Sequence, residues 1–236
     1  MVKENLAACL KEIEAVARRS GAVFSQIILV AVTKGVPLLL IQEAIDNGVQ
    51  YLGENRIQEV LLKYEPLNIY AKAIGRPLYW HMVGHLQSNK ARVAVRIFDL
   101  IHSVDSIALA SEIDKQAGRI NKIQDILIQV NVSAEATKYG FTAESTPAAF
   151  KEISGFKNIN IRGFMTIAPL VDHSEEARPY FRQLRQLSDR INELRISDLK
   201  PGALSMGMSD DFQVALEEGA TMVRIGRGIF GERQEA

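Results

Sequence analysis

Lys34 closes a short apolar run, Ile28 to Val32, whose continuous, partly β-branched character marks a strand buried on both faces. An amine where such a strand gives way to a loop is either a solvated end-of-strand lysine or a group held in a dry pocket. In the pocket, desolvation disfavours the charged form and leaves the amine nucleophilic. A second charged residue, Arg224, sits inside the last apolar run, two positions before Gly226. Burying a guanidinium is costly unless something pairs with it, either a carboxylate such as Glu217 or Glu218 or an acceptor on a ligand. A guanidinium only donates, so a ring nitrogen facing Arg224 stays unprotonated. Gly226 and Gly228 let backbone approach a ligand closely, and Ser205 offers a hydroxyl. Together these glycines and the serine form either two ordinary tight turns or an anion site.

The elements that position these groups alternate along the chain. Residues 3 to 19 place Leu6, Cys9, Leu10, Ile13, Val16 and Ala17 at helical spacing, an amphipathic opening helix. After the first strand, Pro37 starts a helix carrying Leu38, Ile41, Ala44 and Ile45, which Asn47-Gly48 stops. Short apolar runs recur near Tyr51, Met82, Leu100, Ile128, Ile161, Leu204 and Val223, at a mean interval of roughly 28 residues, the size of a βα unit. Ser174 to Arg195 reads as an outer helix with Pro179 in its first turn. Eight such units predict a single α/β domain over 1–236, a (β/α)8 TIM barrel with the opening helix, 1–20, packed on it. An open doubly wound sheet would carry a glycine fingerprint after the first strand, and Thr33-Lys34-Gly35-Val36-Pro37 is not one.

In a barrel, function gathers at the C-terminal strand ends, and a phosphate commonly sits between the last two βα loops. The final strand closes against the first, so an anion site near Gly226 and the amine of Lys34 lie on adjacent strands. That spacing fits a phosphorylated aldehyde joined to the lysine as a Schiff base.

Composition narrows the partners. The 236 residues are 47% hydrophobic, with 28 basic and 28 acidic side chains and a net charge of zero, so nothing biases the chain toward nucleic acid or anionic lipid. One cysteine, Cys9, excludes an internal disulfide and a cysteine-based metal cluster. The first residues lack the apolar core of a signal peptide, and no stretch approaches the length of a membrane span. A soluble, cytoplasmic protein is expected, without obvious interface patches and hence monomeric.

Ordered blocks then carry a resemblance: Thr33-Lys34, Gly53-Glu54-Asn55-Arg56, Trp80-His81-Met82-Val83-Gly84-His85, Gln129-Val130-Asn131, Lys138-Tyr139-Gly140-Phe141, Arg162-Gly163-Phe164-Met165-Thr166, Leu204-Ser205-Met206-Gly207 and Val223-Arg224-Ile225-Gly226. Together they resemble the pyridoxal 5'-phosphate (PLP) homeostasis protein family, the YggS or PROSC group. The resemblance implies a barrel like the N-terminal domain of alanine racemase, without that enzyme's second β-domain. It implies that Lys34 forms the internal aldimine with PLP. Ser205, Met206, Gly226 and Arg227 then hold the phosphate, Arg224 faces the pyridine nitrogen, Ile225 is a further cofactor-binding residue, and Asn55 lines the cofactor pocket. The function implied is carriage of PLP and upkeep of vitamin B6 and amino-acid and keto-acid balance, without established catalysis, with PLP-dependent apo-enzymes as partners. Thr33 stands where the family has serine, and Arg227-Gly228 replaces a small pair; Arg227 adds charge to the phosphate cup only if it turns inward.

Two other function classes remain. A PLP-dependent amino-acid racemase needs a second acid or base on the opposite face of the cofactor; a protein-binding regulator needs PLP only structurally. His81 and His85, four apart, suggest a metal pair, but no third ligand is evident, and hydrogen-bonding roles are expected instead. Lys90 and Lys138 read as loop lysines, with Lys138 a minority candidate for a second aldehyde adduct. Trp80, Met165, Met206 and Met208 read as packing residues, Met206 also offering its N–H.

Overall fold

The computed structural model describes residues 1–133, 135, 138–194 and 201–232. In chain order its elements are α1 (Val2–Ser20), β1 (Ile28–Val32), α2 (Leu38–Asp46), β2 (Tyr51–Glu54), α3 (Ile57–Ala73), β3 (Tyr79–Met82), α4 (Ala91–Ile97), β4 (Leu100–Val104) and α5 (Ile107–Gly118). There follow β5 (Gln124–Asn131), β6 (Phe141–Thr142), α6 (Thr146–Ile153), β7 (Ile159–Met165), α7 (Arg178–Glu193), β8 (Ala203–Ser205), α8 (Phe212–Glu217), β9 (Met222–Ile225) and α9 (Arg227–Phe230).

All strand pairings are parallel, and β1-β2-β3-β4-β5-β7-β8-β9 closes into a ring when β9 pairs with β1. This is the expected (β/α)8 barrel. The two-residue β6, unforeseen in the sequence, adds to β5 outside the ring. The closing register sets Val30 beside Arg224 and Ala31 beside Ile225, so the first and last strands carry their chemistry side by side.

Alternation along each strand sorts the lumen into layers, because residues two apart share a face. At the N-terminal end Leu100, Leu127, Met165 and Met222 form a small apolar cluster of their own. Two residues further along β4 and β9 the same face carries His102 and Arg224, both buried. The lumen is therefore apolar below and polar above, toward the C-terminal strand ends.

The helices bury their apolar stripes outside the ring. The opening helix α1 buries Leu6, Cys9, Ile13, Val16 and Ala17 and ends at Gly21, whose φ of 76° is the left-handed cap that glycine adopts freely. It packs on α2, α8 and α9. Asn5 Nδ2 donates to Ile229 O at 3.1 Å and Cys9 Sγ to Gly228 O at 3.4 Å, so α1 braces the short helix after the last strand. Pro179 falls in the first turn of α7, as expected, after a 3₁₀ turn over Ser174–Ala177. Arg195, the last residue of the predicted outer helix, lies outside the described residues. Among the described residues no helix is long and apolar enough to cross a membrane.

Candidate functional site at the barrel mouth

The chain turns sharply after β1, with Val36 N–H donating to Thr33 O at 3.0 Å, and the half-buried Lys34 sits within that turn. Both neighbours of Lys34 are pinned. Thr33 Oγ1 donates to Glu54 Oε1 at 2.6 Å, and Thr33 O accepts from Lys63 Nζ at 2.6 Å. On the other side Gly35 N–H donates to the Glu59 carboxylate. Lys63, buried on α3, ties the set together with contacts of 2.8 Å to both Glu54 and Glu59. Burial raises the pKa of the Glu54 carboxyl despite the opposing pull of Lys63 and Thr33. At Glu59 burial also acts upward, but hydrogen bonds from Lys63 and Gly35 N–H prevail, and its pKa lies below the usual carboxylate value.

Nothing in the sequence separated this clamp from ordinary surface pairs. Glu59 and Lys63 are spaced i,i+4, as on any solvated helix face, and Glu54 showed only as part of the Gly53-Glu54-Asn55-Arg56 block. Burial of Lys63 and Glu54 is a tertiary fact, created where α3 packs over the β1 and β2 ends.

Arg224 is buried in the upper lumen, where Nη1 donates to Ser205 Oγ at 2.6 Å and Nη2 to Thr166 O at 2.8 Å. The carboxylate pairing considered for it is not made. Glu217 and Glu218 lie outside the ring with Arg19, Arg178, Arg182 and Arg185, and among the described residues no carboxylate is within ion-pair distance of Arg224. Burial pulls the guanidinium pKa down to about 10, against the attraction of Asp211, and it remains a cation at neutral pH.

The other expected site residues gather at the same end. Ser205 is fully buried; its oxygen accepts from Arg224 and also contacts His102 Nδ1 at 2.9 Å. Its hydroxyl oxygen is thus engaged by Arg224 and His102 inside the barrel. Met206 is buried, but its N–H donates to Met222 O at 3.1 Å, and so it packs and does not offer a free amide. Ile225 ends β9, Gly226 caps α9, and Arg227 is its first residue. Arg227 turns outward to the carboxylate of exposed Asp210. Met208, expected to pack, is instead 38% exposed at the rim.

Asn55 follows β2, half-buried, with a side-chain oxygen, Oδ1, that is buried and has no hydrogen-bond partner. Gly84 makes its position possible, because a Cβ there would lie 2.5 Å from Asn55 O and 2.7 Å from Asn55 Cα. Asn55 and Gly84 help line a cleft of about 620 Å³ with Met82, His85 and Lys90.

The two histidines once considered as a pair diverge. His85 is exposed at the rim, 3.0 Å from Asp105 Oδ2 and stacked on Tyr139 with ring centroids 3.8 Å apart. His81 is buried in the lumen against His102, 3.0 Å between ring nitrogens. No group of three or more metal-ligating side chains occurs among the described residues. Lys138 pairs with Glu135 at 2.8 Å. His102, which sequence reasoning passed over, did leave a signal: a polar side chain in the run Leu100-Ile101-His102-Ser103-Val104, spaced two from an inward-facing leucine.

Comparison with known proteins agrees with this architecture. A family model described as alanine racemase, N-terminal domain, matches residues 5–234. A pyridoxal phosphate homeostasis protein of Aquifex aeolicus is 42% identical over 231 residues, covering 98% of each chain. Its counterpart in Synechocystis is 39% identical, covering 91% of this chain and 99% of the relative. Among solved structures, PipY of Synechococcus elongatus with PLP bound superposes with a TM-score of 0.83 at 35% identity, covering 98% of this chain and 100% of that one. An alanine racemase of Clostridium difficile, 17% identical with a TM-score of 0.71, shares the fold over 58% of its own length.

Proposed function

The chain belongs to the pyridoxal phosphate homeostasis protein family, and from that premise we propose that it binds pyridoxal 5'-phosphate at Lys34 and carries it, without turnover of its own. The observation that carries this reading is the pinning of both neighbours of Lys34 beside the strand that bears Arg224. A lysine serving only as a solvated strand end needs no such frame.

The residues present fit the cofactor. Asn55 Oδ1 is a buried acceptor awaiting a donor, and Arg224 uses two nitrogens on neutral oxygens with further N–H groups to spare. When bound, PLP supplies an electrophilic aldehyde that the Lys34 amine holds reversibly. The Gly226 and Arg227 amides, at the start of α9, would hold the phosphate, with buried Met206 and Ile225 packing around it. Ser205 contributes by anchoring Arg224, and Arg224, able only to donate, keeps a pyridine nitrogen unprotonated, which disfavours carbanion chemistry. What separates a carrier from a racemase is a second acid or base on the opposite face of the cofactor, which only the racemase needs. The protein acts as a cytoplasmic monomer that passes PLP to apo-enzymes.

The test is a visible spectrum of the purified protein before and after borohydride, followed by peptide mapping. A yellow protein with one reduced adduct, on Lys34, and a colourless Lys34→Ala variant are expected. A colourless wild type that takes up no PLP defeats the proposal. So does sustained formation of D-amino acids that disappears in Lys34→Ala.

A further inference from the structure

A buried hydrogen-bonded chain runs across the lumen beneath the cofactor site, and the reading above uses only its first two members. Arg224 Nη1 lies 2.6 Å from Ser205 Oγ, Ser205 Oγ 2.9 Å from His102 Nδ1, and His102 Nε2 3.0 Å from His81 Nδ1. All four side chains are buried.

Arg224 only donates, so Ser205 Oγ accepts from it, and a hydroxyl polarised by a cationic donor gives its own hydrogen more readily, which favours donation from Ser205 to His102 Nδ1. His102 then carries its proton on Nε2 and donates to His81 Nδ1, and His81 in turn carries its proton on Nε2. Protonating His81 would set its Nδ1–H against the Nε2–H of His102 at one link. Burial acts the same way: it lowers the His81 pKa to about 4, and it takes His102 well below the ordinary imidazole value, helped by His81 and Arg224.

One layer lower, the same lumen is filled by Leu100, Leu127, Met165 and Met222. Two imidazoles in a closed interior are tolerated only when their polar atoms are used, and a satisfied network fixes one arrangement where an apolar filling would not. We propose that His102 and His81 are positioning residues for the cofactor site, holding Ser205 and through it Arg224 in a single orientation so that the remaining guanidinium N–H groups point in a fixed direction. The role in the site rests on the reading of Lys34 and Arg224 given above; the chain itself does not.

The experiment has two arms. Nitrogen NMR of the imidazoles in the wild-type protein is expected to show both as neutral Nε2–H tautomers from neutral to mildly acidic pH. PLP titrations are expected to show about tenfold weaker binding in His102→Phe, one lost link to a charged site, together with a shifted pH midpoint of the visible band. His102→Gln recovers most of the affinity, because its carboxamide accepts from Ser205 and donates to His81. His81→Leu spares the Ser205 contact but lets His102 populate both tautomers.

An Nδ1–H His102 in the wild type overturns the proposal. So does a folded His102→Phe with unchanged affinity and midpoint. Should His102→Phe not fold, His81→Leu decides: one unaltered tautomer with unaltered PLP binding sinks the idea. If the wild type takes up no PLP, the reading of Lys34 fails while the tautomers still report on the chain.

Discussion

Lys63 Nζ lies 2.6 Å from the carbonyl oxygen of Thr33, so a lysine of α3 holds the residue that immediately precedes Lys34. The same nitrogen reaches Glu54 and Glu59 at 2.8 Å, and Glu54 Oε2 is buried with no hydrogen bond of its own. One cation thus pairs with a buried carboxylate and fixes the turn. Replacing Lys63 by Met leaves Glu54 without its cation, the situation in which breaking a buried pair is most damaging.

Lys63→Met is therefore expected to destabilise the fold by about 3 kcal/mol, read as a lower urea midpoint at unchanged m. Because Thr33 is released as well, PLP capture at Lys34 weakens in the variant even where the protein remains folded. Unchanged stability and unchanged uptake would show that the clamp is ornamental.

Acid should act through the lumen. His81 has a folded pKa of about 4 against 6.5 for the free side chain, with burial as the cause. Between those values the unfolded chain binds a proton that the folded chain refuses, so stability rises with pH across this window and is lost as pH falls through it. The linkage is on the order of 3 kcal/mol for His81 alone. Urea unfolding measured at pH values spanning the window should show this slope, and His81→Leu should reduce it, with buried His102 supplying the remainder. A wild-type stability independent of pH there would mean that His81 titrates normally.

The barrel was legible in the sequence because strand and helix periods repeat with few interruptions, and the strand ends carry polar residues where apolar ones would be expected. Lys34, Arg224 and Gly226 stood out as exceptions to a local pattern. The clamp did not, since Lys63 obeys the pattern of a surface helix and becomes buried only through packing of α3. Likewise Ser205 and Met206 could be placed on β8 from spacing, but not the fact that the hydroxyl and the amide are already engaged by His102 and Met222. Hydrogen-bond partners across a barrel belong to strands distant in sequence, and no one-dimensional period encodes them.

Arg227 offers a contrast in charge placement. Its side chain is exposed and paired with exposed Asp210. Exposed pairs contribute little, so Arg227→Ala is expected to change stability by less than about 1 kcal/mol. Since the guanidinium faces away from the lumen, PLP affinity should fall by less than about threefold, a difference below 1 kcal/mol. A tenfold loss on titration would place the side chain in the phosphate cup after all.

Arg224 should behave in the opposite way, and the reason lies in its partners. It is a buried cation held by a hydroxyl and a carbonyl, a poor arrangement for stability because its charge is desolvated with no carboxylate within ion-pair distance among the described residues. Arg224→Met removes that burden while stranding the Thr166 carbonyl, two effects of opposite sign. Stability is expected to move by less than about 2 kcal/mol in either direction. PLP binding has no such compensation, because the donors proposed for the ring nitrogen are gone, and affinity should drop by at least about tenfold. Thermal melts and PLP titrations on the same preparation separate the two quantities. If melting temperature collapses while the surviving folded fraction binds PLP normally, the guanidinium is a structural residue and the pyridine contact assigned to it is wrong.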